Sequence, residues 1–343
     1  MKPIRIGFIG VGYIAINAHL PGLAPLVEAG QAELRAFCDV DEKNLAEQAA
    51  TYGVSATYTD YYQMFEKEDL DAVYVCIPPT LHTDQITIAA EKGIAVLVEK
   101  PQTLDIGQAV RFDEAIRKGG IVSQVGFQSR YCPSAEKVVD LLQSRTPRHA
   151  LVQALSSGKP VRYWTSRYEL CGGSFVENTI HMVDLLRYFL GDIETVSAFY
   201  VARAPDEGPE PMNMPHVYNV NYLFVGGTTA NFTLSRVLTN TPTSRRSVQI
   251  ISDDSLIEWS ADRVVENDEV MWKDEVGCHP SFAQTRAFIE AVKAGDPGLV
   301  KSSYANALNS LAAVLGANAS AERGGQCLAL DDLIAGRVVG PPV

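Results

Sequence analysis

The sequence predicts an α/β chain in two domains: a doubly wound parallel sheet, followed by an α+β domain whose sheet is open and mostly antiparallel. Three observations carry that expectation. Up to residue 126, short β-branched runs alternate with stretches of helical periodicity, the rhythm of strands joined by crossover helices. After residue 130, strand follows strand with no helix between, as in an antiparallel sheet. The length of 343 residues suits two domains, each able to bury a core. The boundary is placed between residues 128 and 129, giving domains over 1–128 and 129–343.

The first strand is expected over 4–9 and the first helix from about Ala15. Strands over 34–38, 72–77, 95–98 and 122–126 then alternate with helices over 41–51, 81–92 and 107–117. Several of these strands are apolar throughout, as strands covered by helices on both faces should be. In the second half, a helix over 135–142 leads to a strand near 151–154, a polar and aromatic loop over 162–173, and a helix over 180–190. Strands over 196–202, 217–224, 229–235, 248–252 and 256–259 follow, with surface loops at 204–215 and 239–245. Helices over 281–294 and 304–321 have apolar faces that must pack on something.

Composition narrows the function. With 29 basic against 41 acidic residues the net charge is −12, and no Lys/Arg cluster offers a stripe for phosphates, so nucleic acid is an unsuitable partner. No stretch reads as a signal peptide or a membrane span, and a cytoplasmic location is expected. Six dispersed cysteines without a CxxC pair read as reduced core residues. The six histidines show no HxxxH or HExxH spacing, so no metal is expected.

The segment Gly10-Val11-Gly12-Tyr13-Ile14-Ala15 falls where the first strand ends and the first helix begins. Its glycines let backbone amides and a helix N-terminus approach a pyrophosphate, as in a Rossmann domain. Asp39 follows at the end of the second strand, 24 residues beyond Ala15, where a carboxylate can accept both adenosine ribose hydroxyls. A carboxylate there repels a 2′-phosphate and Val40 follows it, so NAD is expected rather than NADP, although Lys43 lies nearby. Taken alone, Asp39 would serve equally as a cap for the next helix.

The fourth strand runs into Ile77-Pro78-Pro79-Thr80-Leu81-His82 and the fifth into Glu99-Lys100-Pro101. Both lie at the carboxyl edge of the sheet, where open α/β folds bind ligands. Further on come Gly126-Phe127-Gln128-Ser129-Arg130-Tyr131 and Gly172-Gly173-Ser174, then Glu177-Asn178-Thr179-Ile180-His181-Met182-Val183-Asp184. In this order, with the glycine loop, they resemble the glucose–fructose oxidoreductase / inositol dehydrogenase / rhizopine catabolism (Gfo/Idh/MocA) family over nearly the whole chain.

The resemblance implies a Rossmann domain plus a C-terminal α/β domain whose open sheet mediates oligomerisation, as a homodimer or homotetramer. It implies that Tyr13, Ile14, Ile77, Pro78, His82 and Glu99 lie along the cofactor with Gly10, Gly12, Asp39 and Lys100. It also implies that Lys100 orients and polarises a substrate hydroxyl while His181 shuttles its proton. Oxidising a secondary alcohol needs a hydride acceptor and a base, which these residues and NAD would supply. Glu177 and His181 are spaced i, i+4, so on a helix the carboxylate could hold the imidazole. The family more often has Asp where Glu177 stands.

Arg162-Tyr163-Trp164-Thr165-Ser166-Arg167-Tyr168-Glu169 combines aromatic planes with multidentate donors suited to sugars. Trp164 and Arg167 are therefore substrate candidates, with Gln128, Arg130, Asn178 and His181 added by the resemblance. Each residue also has a plainer role: a surface lysine, a satisfied helix histidine, a carboxylate complementing a helix dipole. Asp184 is expected to support structure. The expected activity is hydride transfer between NAD and a ring hydroxyl of a sugar, cyclitol or glycoside. An NAD-retaining, redox-cycling glycosidase or lyase and a non-catalytic NAD/sugar sensor are the alternatives.

Overall fold

The computed structural model describes residues 2–156, 162–203, 212–238, 241, 243–277 and 279–337. The chain forms two compact units, each assembled from separated stretches: Met1–Thr103, Gln108–Tyr131 and His279–Asn306 in the first, Leu104–Gly107, Cys132–Cys278 and Ala307–Val343 in the second. A single boundary at 128/129 therefore misses the return of the chain to its first unit.

The first unit holds β1 (Ile4–Ile9), β2 (Ala32–Cys38), β3 (Ala56–Tyr58), β4 (Ala72–Val75), β5 (Ala95–Val98) and β6 (Ser123–Val125). They form a parallel sheet in the order β3-β2-β1-β4-β5-β6. The order reverses between β1 and β4, which makes the carboxyl ends of these two strands the switch point of the sheet. Every residue of β4 and β5 is buried, which explains their unbroken apolar sequence. The helices are α1 (Leu20–Glu28), α2 (Glu42–Tyr52), α3 (Tyr61–Lys67), α4 (Gln85–Glu91) and α5 (Ile106–Gly119). Asp41 starts α2 by accepting from the Lys43 and Asn44 amides, and Gly53 ends it at φ 69°.

The second unit contains α6 (Pro133–Leu142), β7 (His149–Leu155), α7 (Tyr168–Cys171), α8 (Ile180–Leu190), β8 (Ile193–Val201), β9 (Val217–Phe224), β10 (Thr229–Ser235), β11 (Arg245–Ile251), β12 (Leu256–Ser260), β13 (Arg263–Glu266) and β14 (Glu269–Lys273). After α9 (Pro280–Ala294) and α10 (Tyr304–Glu322) come β15 (Leu328–Ala329) and α11 (Leu330–Ile334). The strand order is β14-β13-β12-β11-β7-β10-β9-β8-β15. All of these pairs are antiparallel except β7 with β10. Part of the expected loop 204–215, residues 204–211, lies outside the described residues, as do 239, 240 and 242 of the loop 239–245.

The two late helices find different partners. A Cβ on Gly22 of α1 would meet Phe282 and Thr285 of α9 at 3.2 Å, and Phe288 packs edge-on to Tyr74 at 5.5 Å, so α9 completes the core of the first unit. The following turn seals β6, with Val125 N donating to Ser302 O at 2.8 Å. α10 covers one face of the second sheet: Tyr222 donates to Ala313 O at 3.1 Å and Ala198 N to Ser320 Oγ at 3.0 Å. The opposite face carries Asn219, Asn221, Asn231 and Thr233 through its middle, Asn231 Nδ2 bridging the two other asparagines at 3.1 and 2.9 Å. That face is not the continuous apolar patch which an open sheet alone would suggest, although Phe199 and Val201 are exposed near its edge.

Among the described residues no helix is long and apolar enough to cross a membrane, and no group of three or more His, Cys, Asp or Glu side chains is gathered as for a metal ion. Cys38, Cys76, Cys132 and Cys171 are buried free thiols, but Cys327 is exposed, against the expectation that all six lie in the core, and Cys278 is outside the described residues.

Candidate functional site

At the switch point β1 runs into Gly10 at φ 87°. A Cβ there would lie 2.5 Å from Cys76 O and 2.8 Å from Ile77 Cγ2, so only glycine fits. Gly12 is different: a Cβ would meet nothing within 4 Å. The protein itself does not require that glycine, so the space above it suits a ligand lying close to the backbone.

Asp39 closes the other side. Its Oδ2 accepts from Val11 N at 2.9 Å and its Oδ1 from Asp41 N at 3.0 Å, while Asn44 Nδ2 donates to Val11 O at 3.0 Å. The carboxylate thus fixes the glycine loop and retains lone pairs for hydroxyls. A cleft of about 340 Å³ opens here, lined by Gly10, Gly12, Asp39, Val40, Ile77 and Pro78 among others. Burial pushes the Cys38 thiol up to about 12, helped by the Asp39 charge, and pushes Cys76 up as well, so neither cleft cysteine is a thiolate near neutrality. Tyr13 is exposed and Ile14 half-buried at the start of the helical segment. A glycine loop, an anchored carboxylate and an apolar slot fit a dinucleotide's pyrophosphate, ribose and adenine in that order.

Glu99 anchors the segment that follows it. Its Oε1 meets His19 Nε2 at 2.8 Å and its Oε2 accepts from Lys100 N at 3.2 Å, so the buried carboxylate holds the start of the Lys100 segment. Gly126 makes room for it, since a Cβ there would lie 2.5 Å from Glu99 Oε1. His19 ends a π-helical turn (Ala15–His19) that precedes α1, a device found often at functional sites. The sequence reading missed His19; its signal was a histidine set among the apolar residues of 15–27. Lys100 is partly exposed and is joined to Pro101 by a cis peptide bond.

His82 is buried, its Nδ1 donating to the Gln102 carbonyl, and Gln108 Nε2 donates to the His82 carbonyl at 2.8 Å. Burial pulls its pKa below the ordinary value, the Gln102 and Ile77 carbonyls opposing the shift, so the ring is neutral. Gln128 is partly exposed, whereas Arg130 is 3% exposed and donates to Lys301 O at 2.6 Å. That bond gives Arg130 a hold on the 279–306 stretch that its sequence neighbours do not reveal.

In the second unit Gly172 (φ 72°) and Gly173 (φ 89°) turn the chain into a π-helical segment (Phe175–Thr179) ahead of α8. Phe175 is fully buried with Tyr218 and Phe232 at 6.0 Å, and Ser174 N donates to Tyr218 OH at 3.1 Å. From Cys171 to Arg187 every residue is buried except Glu177, Asn178 and His181. These three expected site residues are thus presented together from an otherwise sealed segment. Asp184 is structural, as expected, accepting from Ser310 Oγ at 2.7 Å beside Arg187. Trp164 is half-buried at the start of a short turn. Arg167 is paired with Glu169 at 2.7 Å, and Asn213, Glu169's own backbone and that arginine hold the carboxyl down at about 2.

Residues 4–127 match a family model described as an oxidoreductase family with an NAD-binding Rossmann fold, and residues 146–255 match the GFO/IDH/MocA C-terminal domain. The myo-inositol 2-dehydrogenase of Thermotoga maritima is 30% identical over 196 residues, 57% of this chain and 58% of that protein. The match thus spans little more than half of that relative. A dTDP-3,4-didehydro-2,6-dideoxy-α-D-glucose 3-reductase of Actinomadura kijaniata is 28% identical over 321 residues, 86% of this chain and 89% of its own. Among solved structures, the WlbA dehydrogenase from Bordetella pertussis in complex with NADH and UDP-GlcNAcA superposes with a TM-score of 0.80 at 21% identity, covering 96% of this chain and 99% of that one. At that identity the likeness is one of fold.

Proposed function

The chain belongs to the Gfo/Idh/MocA oxidoreductase family, and we propose that it is an NAD-dependent dehydrogenase acting on a ring hydroxyl of a sugar, cyclitol or glycoside. The observation that carries the reading is the glycine loop pinned by Asp39, with the space over Gly12 left open. NAD rather than NADP follows from the Asp39 carboxylate, which would repel a 2′-phosphate. The named activities of the inositol dehydrogenase and deoxysugar reductase relatives support the substrate class.

The cofactor supplies the hydride acceptor when it is bound. Lys100, its backbone held by Glu99 and His19, orients and polarises the substrate hydroxyl through its ammonium group. His181 takes the hydroxyl proton on an imidazole nitrogen during oxidation and returns it during reduction. Glu177, on the same presented segment, orients the imidazole, and Asn178 hydrogen-bonds a neighbouring hydroxyl. Trp164 offers an apolar plane to a sugar face. Gln128 hydrogen-bonds the substrate. Self-association through the second sheet belongs to the same reading, and sedimentation would measure it.

The test is anaerobic incubation of the purified protein with NAD, and separately NADP, against sugars, inositols, sugar acids and aryl glycosides. NADH accumulating with a keto product by mass spectrometry supports the proposal. Glycoside cleavage without net NADH, or binding without turnover, refutes it.

A further inference from the structure

Arg236 directly follows β10 and Arg246 is the second residue of β11. β7 lies between these strands, and its Ala154 pairs with Leu234 on one side and Arg246 on the other. The two arginines therefore sit at the same end of the sheet, two strand spacings of roughly 4.8 Å apart. Alternation places Arg246 on the face of buried Val248 and Ile250, the face of Phe232 against which Phe175 packs. Arg246 Nη2 reaches Asn178 Oδ1 at 3.5 Å, and Arg236 is near enough to Glu177 and Arg246 to feel their charges.

Neither guanidinium has an ion-pair partner among the described residues, and Arg236 Nε is buried without any hydrogen bond. Burial pulls Arg236 below its ordinary value and Arg246 adds to the pull, with Tyr218 and Glu177 opposing. A desolvated guanidinium beside a second one is unfavourable until an anion arrives. We propose that Arg236 and Arg246 form a carboxylate subsite beside Glu177 and Asn178, so that the substrate is a sugar or cyclitol acid rather than a neutral polyol. This rests on the reading of Glu177, Asn178 and His181 as substrate-facing. Glu177 beside the pair opposes a second negative charge, which favours a monoanionic carboxylate over a phosphate dianion. The guanidinium fork accepts a carboxylate bidentately.

The test titrates NAD-saturated protein calorimetrically with D-glucuronate, D-galacturonate and D-gluconate, each against its neutral counterpart D-glucose, D-galactose or D-glucitol. At least one acid should bind ten times more tightly than its counterpart. Arg236→Gln should weaken that acid about 100-fold and leave the neutral compound unchanged; Arg236→Lys, which keeps the charge but not the fork, should restore only part. Because the substitution removes an uncompensated charge, the melting temperature of ligand-free Arg236→Gln should rise by about 2 °C. A fall of several degrees would make Arg236 structural and overturn the proposal, as would acids binding no better than neutral compounds. The two readings separate in the turnover data. Acids bound through Arg236 without any NAD reduction would leave the subsite standing and the dehydrogenase refuted. Neutral polyols reducing NAD with no acid preference would do the reverse.

Discussion

The Asp39 carboxylate accepts the Val11 amide at 2.9 Å and so ties the end of β2 to the glycine loop after β1. In the proposed complex the same group receives the adenosine ribose hydroxyls. Asp39→Ala should therefore weaken NAD by about 2 kcal/mol, roughly 30-fold, and narrow the preference for NAD over NADP. Fluorescence titration with both cofactors measures this. Unchanged NAD affinity would leave Asp39 with the loop alone.

Glu99 is clasped between His19 and the Lys100 amide, and Gly126 is the space it occupies. His19→Ala should cost about 3 kcal/mol of stability, and Gly126→Ala about 2 kcal/mol by overpacking. Combining Gly126→Ala with Glu99→Ala should cost less than the sum of the two, because the first clash disappears with the carboxylate. Chemical denaturation of the four proteins closes that cycle; strict additivity would contradict the contact.

His181 and Asp184 lie one turn apart in different surroundings, one partly exposed and the other buried against Ser310. Their variants should fail differently. His181→Ala should lower kcat by about 10²- to 10⁴-fold with little change in melting temperature. Asp184→Ala should lose about 3 kcal/mol of stability by leaving Arg187 with one buried partner fewer. Steady-state kinetics beside thermal melts distinguish the two.

His82 is held neutral by burial, its pKa lying below the ordinary value of 6.5. The unfolded chain takes up a proton there below about pH 6.5 while the native state does not, so this group lowers stability as the pH falls towards its depressed native value. The pH dependence between 6.5 and 5 should be shallower in His82→Gln by up to about 1.4 kcal/mol per pH unit. Equal slopes would show that the ring is protonated in the fold.

Long periodic elements and short chemical strings were legible in the sequence; pairings across long separations were not. The expected strands over 217–224 and 229–235 and the helix over 180–190 coincide with β9, β10 and α8. β3, three residues long, and α3, seven, are too short to show a period, as are β13 and β14 at four and five residues. The α9 pattern announces an apolar face but not that its partner is α1. Likewise Gly10, Asp39 and Glu177 stand out by motif and spacing, whereas the claim on Arg130 by Lys301 O, the clasp on Glu99 by His19, and the approach of Arg236 and Arg246 to Glu177 and Asn178 depend on residues 59 to 171 positions away. The π-helical turns before α1 and α8 leave no mark in the residue pattern.

The central claim is hydride transfer from a ring carbon to NAD. The most direct measurement is the mass of the reduced nicotinamide formed when the protein is incubated anaerobically with NAD and a substrate from the panel deuterated at its ring carbons. The account predicts NADH heavier by one mass unit, formed together with a keto product. Unlabelled NADH, or a product released with no NADH at all, would contradict it.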